Sequence, residues 1–264
     1  MHPIERLRWI ARSHGEAPTT LATEAAWTIS ELALDEPPAL VTACRRLLES
    51  HVTAGPLWWV AATVLVAPDP DQAARKAVEE LCSDPTAELL AVTLVERLLD
   101  DSVIAVACPA ETVRDAFGLC SVGSIRLVGS SPSLRGEVRS FEAVADRVSC
   151  WEFDEATEAV DGAALVLLEA LAAGPRGVLV SSEAGPLARA ARAASIPLWA
   201  VAGVGRVLNE QLQVEMLRRA SDGVELVAPG DLEALVGPSG LESPTEALDR
   251  PGCPAAPELL VRAS

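Results

Sequence analysis

No two cysteines of this 264-residue chain form a CxxC pair, and no histidine stands at metal-ligand spacing from any of the six. Cys44, Cys82, Cys108, Cys120, Cys150 and Cys253 are scattered, which argues against structural zinc. Tyrosine is absent, and Lys76 is the only lysine. Arginine in place of lysine, with many alanines, points to a GC-rich coding sequence and a bacterial source. Excess positive charge is lacking too. The net charge is −17, so phosphates would be repelled and nucleic acid is not an expected partner. The longest apolar runs, such as 54–67, fall short of the roughly 18 residues of a membrane span. His2, Glu5, Arg6 and Arg8 interrupt any apolar leader. No Ser-His-Asp set is apparent, since all three histidines lie within the first 51 residues. These readings describe a cytoplasmic protein with reduced thiols, no metal and no cofactor.

Half the residues are hydrophobic, enough for a sizeable core. The first hundred read as a helical N-terminal domain. Apolar residues recur at three- and four-residue spacing over 22–34, 39–51, 55–67, 69–83 and 85–100. Prolines at 37, 38, 68, 70 and 85 divide them. The rhythm then changes. Short β-branched or apolar runs at 102–108, 124–130, 147–153, 164–169, 177–181 and 196–203 alternate with helical stretches. That alternation predicts an α/β fold, with a Rossmann-like parallel sheet over 102–230 inside a second domain of 101–264. The tail has no clear periodicity. Ligands of such sheets sit beyond the strands' carboxyl ends, where Cys108, Ser130, Glu169 and Ser182 fall.

Six segments, taken in order, resemble one family. They are IERLRWIARSHGEAPTTLATEA, SHVTAGPLWWVAATVLVA, DDSVIAVACPAETVRDAF, IRLVGSSPSLRG, VDGAALVLLEALAAG and VLVSSEAGPLARAARAASIPLWAVA. The family is that of the α/β/δ regulatory subunits of translation initiation factor 2B. Its enzyme relatives are methylthioribose-1-phosphate isomerase and ribose-1,5-bisphosphate isomerase. The resemblance covers about residues 4–205. It implies a helical domain before a Rossmann-like one, a homodimer, and a phosphorylated small molecule as ligand. It also implies a cysteine and an aspartate that move protons between adjacent carbons. Cys108 falls on the cysteine position. His14 and Gly15 fall in the ligand loop, although a helix-terminus histidine and a capping glycine describe them somewhat better. Thr112, in the turn after Cys108, is placed to contact a phosphate.

The departures matter as much. The aspartate position falls on Leu171, which leaves Glu169 as a displaced base. The asparagine-lysine pair is Ser182-Glu183, so a cation beside the phosphate becomes an anion. At about 4 Å in an intermediate dielectric such a reversal costs several kcal/mol. The strand-end arginine is missing at Ser130-Ser131-Pro132, with Arg135 one helical turn on as a substitute. The histidine before the cysteine is Ala107. The reading that follows is a divergent, non-catalytic member that binds a phosphorylated metabolite or a protein partner. The alternatives are an aldose–ketose isomerase using Cys108 and Glu169, or a subunit of a larger assembly.

Outside the resemblance, GVGRV (203–207) looks like a glycine-rich phosphate loop but lacks the third glycine. His51 reads as the cap of helix 39–51. Of Trp58 and Trp59, one is expected in the core and the other facing a partner domain.

Overall fold

Proline in the first turn of a helix loses no hydrogen bond and presets φ. Pro3, Pro18, Pro56 and Pro70 all occupy that position. They open α1 (Pro3–Ile10), α2 (Pro18–Asp35), α4 (Gly55–Val66) and α5 (Pro70–Cys82); α3 (Leu40–Ser50) and α6 (Thr86–Arg97) complete the helical region. The structure, a computed structural model, describes residues 2–13, 15–108, 110–121, 123–141, 146–220 and 223–262, with backbone alone at 131, 136–138 and 140. Helix α4 is apolar nearly all round and is buried from Gly55 to Ala62, as such a helix must be. Around it, Leu7, Ile29, Leu48, Trp58 and Leu81 share one core with Leu259 from the chain's end. Helix α6 belongs elsewhere. Its Leu90 and Leu94 pack with Phe117 and Ile125, against the sheet.

The strands among the described residues are β1 (Val103–Ala107), β2 (Ser124–Gly129), β3 (Val148–Glu152), β4 (Leu165–Glu169), β5 (Ala172–Gly174), β6 (Gly177–Ser181), β7 (Leu198–Val201), β8 (Val224–Val227), β9 (Ala234–Gly237) and β10 (Gly240–Glu242). Between them run α7 (Glu111–Leu119), α8 (Ser131–Ser140), α9 (Ala156–Val160), α10 (Gly185–Ala194), α11 (Glu210–Arg219) and α12 (Pro244–Leu248). Seven strands form a sheet in the order β10-β9-β7-β4-β1-β2-β3, parallel except for β10. The centre is β4, flanked by β7 and β1; on β1, Val106 pairs with Leu127 on one side and Leu167 on the other. Side chains alternate between faces, as the strand period requires. On β4, Val166 and Leu168 join the core with Leu187 of α10, whereas Leu165 and Leu167 join that with Phe117 of α7. The protein is thus an α/β fold with a helical N-terminal region and a mostly parallel sheet covered on both faces.

Two expectations are corrected. The run 177–181 is not a strand of the parallel sheet. It is β6, the middle of a separate antiparallel sheet ordered β5-β6-β8. The cause is local: Gly174-Pro175-Arg176-Gly177 turns the chain straight back on itself. Gly177 has φ +127°, and a Cβ there would lie 2.3 Å from the Val227 carbonyl oxygen. The tail is also not loose. Its run Ala234–Gly237 adds β9 to the parallel sheet in register with β7, Ala200 opposite Leu235, and β10 folds back on it. The sheet therefore extends beyond residue 230.

Candidate functional site

The sheet reverses its order between β1 and β4, and that is where a ligand crevice forms in such folds. Here the carboxyl ends of β1, β4 and β6 and the loop after β7 border a cavity of ≈760 Å³. Cys108, Glu111, Glu169, Leu171, Ser181 and Arg206 line it. The loop between α1 and α2 covers it, through Gly15 to Pro18. Gly15 has φ +84°, a left-handed conformation that glycine adopts at no steric cost.

Glu169 ends β4 with its side chain 5 % exposed. Its carboxylate accepts the backbone N–H of Thr112 at 2.8 Å, that of Val113 at 3.4 Å and the Thr112 hydroxyl at 3.0 Å. Arg206, equally buried, donates Nη2 to Oε1 at 2.9 Å and Nη1 to the Ala170 carbonyl. The first turn of α7 and its positive dipole end are therefore occupied by the protein's own anion. Burial, helped by the nearby Glu111, pushes the Glu169 carboxyl above its ordinary range, against the pull of Arg206 and the Thr112 and Val113 donors.

The same arrangement recurs at α8. Glu183 accepts the Ser130 N–H at 3.1 Å, and its Oε1 lies 2.7 Å from Ser130 Oγ. Burial raises this carboxyl, but the Ser130 hydroxyl, the Ser130 N–H and the Ser133 hydroxyl outweigh it and hold it below the usual range. Gly129 makes room: a Cβ there would meet Cys108 Cβ at 3.0 Å and Glu183 Oε2 at 3.4 Å. A third backbone cradle is filled likewise. In the GVGRV loop the Val204 N–H donates to Asp84 Oδ2 at 2.7 Å. Gly205, at φ +77°, sits against the Trp59 ring.

The other expected residues divide. Cys108 is buried on the cavity wall; its N–H donates to Val128 and its carbonyl accepts from the Ser181 hydroxyl at 3.2 Å. The Thr112 hydroxyl donates to Glu169 and the Ser130 hydroxyl to Glu183. Arg135 is exposed on α8 and is not among the cavity-lining residues. Ser182 is exposed as well, and its N–H donates away to the Gly223 carbonyl at 2.9 Å. His14 lies outside the described residues. Leu171 lines the cavity where the family aspartate was aligned. Arg206 was not foreseen; its signal was the one cation in the apolar stretch around GVGRV. His51 is the cap residue of α3, with Nε2 2.9 Å from the Ile10 carbonyl. Trp58 and Trp59 are both buried, and Trp59 donates to the Gly252 carbonyl in the tail. Among the described residues no group of three or more His, Cys, Asp or Glu side chains is placed to hold a metal, and no helix is long and apolar enough to cross a membrane.

No protein-family model and no curated protein matches the chain. Solved structures do. The translation initiation factor eIF-2B of Pyrococcus horikoshii OT3 superposes with a TM-score of 0.74 at 16 % identity, over 94 % of this chain and 98 % of that one. The fold is the eIF2B fold. The tetrameric eIF2B-beta2-delta2 complex of C. thermophilum gives 0.72 at 16 % identity, over 93 % and 91 % of the two chains. The 5-methylthioribose 1-phosphate isomerase of P. horikoshii OT3 gives 0.61 at 16 %, over 92 % and 85 %. The eIF2B fold thus spans the tail as well as the segments whose sequence shows the resemblance.

Proposed function

We propose that this chain is a divergent, non-catalytic member of the initiation-factor-2B-like family, acting by association with another chain rather than by turnover. One observation carries the reading. The anion-binding N-termini of α7 and α8, at the mouth of the cavity, are each occupied by an internal carboxylate, Glu169 and Glu183. A phosphate arriving there would meet negative charge, with the Thr112, Val113 and Ser130 N–H groups already donating to it. Leu171, at the position of the proton-moving aspartate, supports the same conclusion. Exposed apolar side chains support association. Val92 is 53 % exposed, Val95 56 % and Leu99 74 %, along one face of α6 and its exit. A cytoplasmic homodimer paired over that face is the simplest form.

The test is direct. Ribose 1,5-bisphosphate and methylthioribose 1-phosphate are offered to the purified chain, with product followed by NMR and stability by thermal shift. No product and no shift are expected. A ligand at a hundred times its Kd would stabilise by about 2.7 kcal/mol, so binding would not be missed. The second reading is an aldose–ketose isomerase. It is favoured by Cys108 and Glu169 lining one cavity at the ends of adjacent strands. Turnover that disappears in Cys108→Ala would establish it and overturn the first.

A further inference from the structure

A second cavity lies far from the sheet edge, between α1 and α3. Its volume is ≈400 Å³ and its floor is apolar, built from Leu7, Ala43 and Leu47 among others. Arg8, Arg12 and Arg46 surround it, with Glu49 the one acid in its lining. That is unusual in a chain carrying 38 acidic residues against 21 basic ones. Arg8 pairs with Glu5. Among the described residues Arg12 and Arg46 form no ion pair within 4.0 Å, and both are exposed.

We propose that this groove binds a small anionic amphiphile: a medium-length acyl chain on the apolar floor, with its carboxylate held by Arg12 and Arg46. The volume falls within the range of small-molecule sites, where apolar walls supply affinity and a few polar groups fix orientation. Two exposed guanidinium groups suit a carboxylate better than an uncharged head, because each presents a planar fork of donors.

The experiment is calorimetric titration of the full chain with decanoate, with decanol as the uncharged chain of equal length, and with phosphatidylglycerol vesicles as the membrane form of an acyl anion. The variant is Arg12→Glu/Arg46→Glu, with both side chains exposed, so that folding is retained and is checked by circular dichroism. Expected are saturable 1:1 binding of decanoate, affinity rising about fourfold for each added methylene until the groove is full, and at least tenfold weaker binding of decanol. The variant should lose at least tenfold in decanoate affinity. Absence of saturable binding, equal binding of decanol, an unchanged variant, or binding to vesicles without binding to free decanoate would each overturn the proposal.

Discussion

Replacing Arg206 by methionine removes the cation that faces Glu169 in the cavity wall. The side chains are 3 % and 5 % exposed, and Nη2 stands 2.9 Å from Oε1. Breaking one side of a buried pair costs about 3–5 kcal/mol, because the remaining charge is left desolvated. Thr112 and Val113 still donate to Glu169 in the variant, which places the loss near the lower figure, about 3 kcal/mol. For a chain of this size the melting temperature should fall by roughly 6–12 °C. The pH dependence gives an independent check. Burial already holds the Glu169 carboxyl above its ordinary 4.5. A raised folded-state value means that its contribution to stability is full below the unfolded value and is lost as pH rises through the folded one. Removing Arg206 raises the folded value further. The gap between wild type and variant should therefore be small near pH 4 and widen towards neutrality. Urea denaturation across that range measures it. Adding Glu169→Gln to Arg206→Met should recover part of the loss at neutral pH, giving a coupling of about 0.5–3 kcal/mol. Strict additivity, or a gap that does not depend on pH, would refute a desolvated ion pair.

Glu183→Ala should free the Ser130 N–H at the start of α8 for an external anion, so phosphate or sulfate should raise the variant's melting temperature and leave the wild type unmoved. Because Glu183 is held below the usual carboxyl range, the stability it contributes is present above about pH 4.5 and lost as pH falls through its lowered value; acid titration of wild type against this variant should show the two converging. Gly205→Ala should cost about 1–3 kcal/mol by thermal denaturation, since its φ is +77° and a Cβ would stand 3.1 Å from the Trp59 ring. With an aromatic disulfide reagent, exposed Cys82 and Cys150 should react promptly, whereas buried Cys44, Cys108 and Cys253 should react only as fast as the protein opens. For Cys44 and Cys253 burial also pushes the thiol up to about 12.

The helices were legible because their apolar period is clean and prolines mark their starts; α2 to α6 fall where the spacing puts them. The parallel strands were legible as apolar runs between helical stretches. What misled was 177–181, whose composition is that of a buried parallel strand. Only the Gly-Pro-Arg-Gly turn before it discloses a hairpin, and periodicity does not see turns. The tail misled for a related reason. Strands β9 and β10 are four and three residues long, too short for any period to register. The site was half legible. Cys108 and Glu169 could be placed because strand ends can be counted. Arg206 could not, since an arginine in a loop is solvated by default. Its burial depends on Glu169, 37 residues earlier in the chain.

The two carboxylates that fill the helix starts do not do so on equal terms, and the difference bears on what the cavity is for. Every strand–helix turn at a sheet's carboxyl edge presents N–H groups that a ligand, water or a side chain must satisfy. At Glu183 the hydrogen bonds outweigh burial, the carboxyl is held ionised, and folding gains. At Glu169 burial, helped by Glu111, pushes the carboxyl up against the pull of Arg206 and the α7 donors. Replacing a buried ion pair by apolar groups is often neutral or stabilising, so a buried pair is weak evidence for stability. It does fix geometry: Arg206 bridges Glu169 and the Ala170 carbonyl, and Glu169 joins β4 to α7. The loop after β7 is thereby tied to the first turn after β1 across the crevice where a substrate would sit. Here the Arg206–Glu169 salt bridge and the three hydrogen bonds from Thr112 and Val113 to Glu169 hold those walls together.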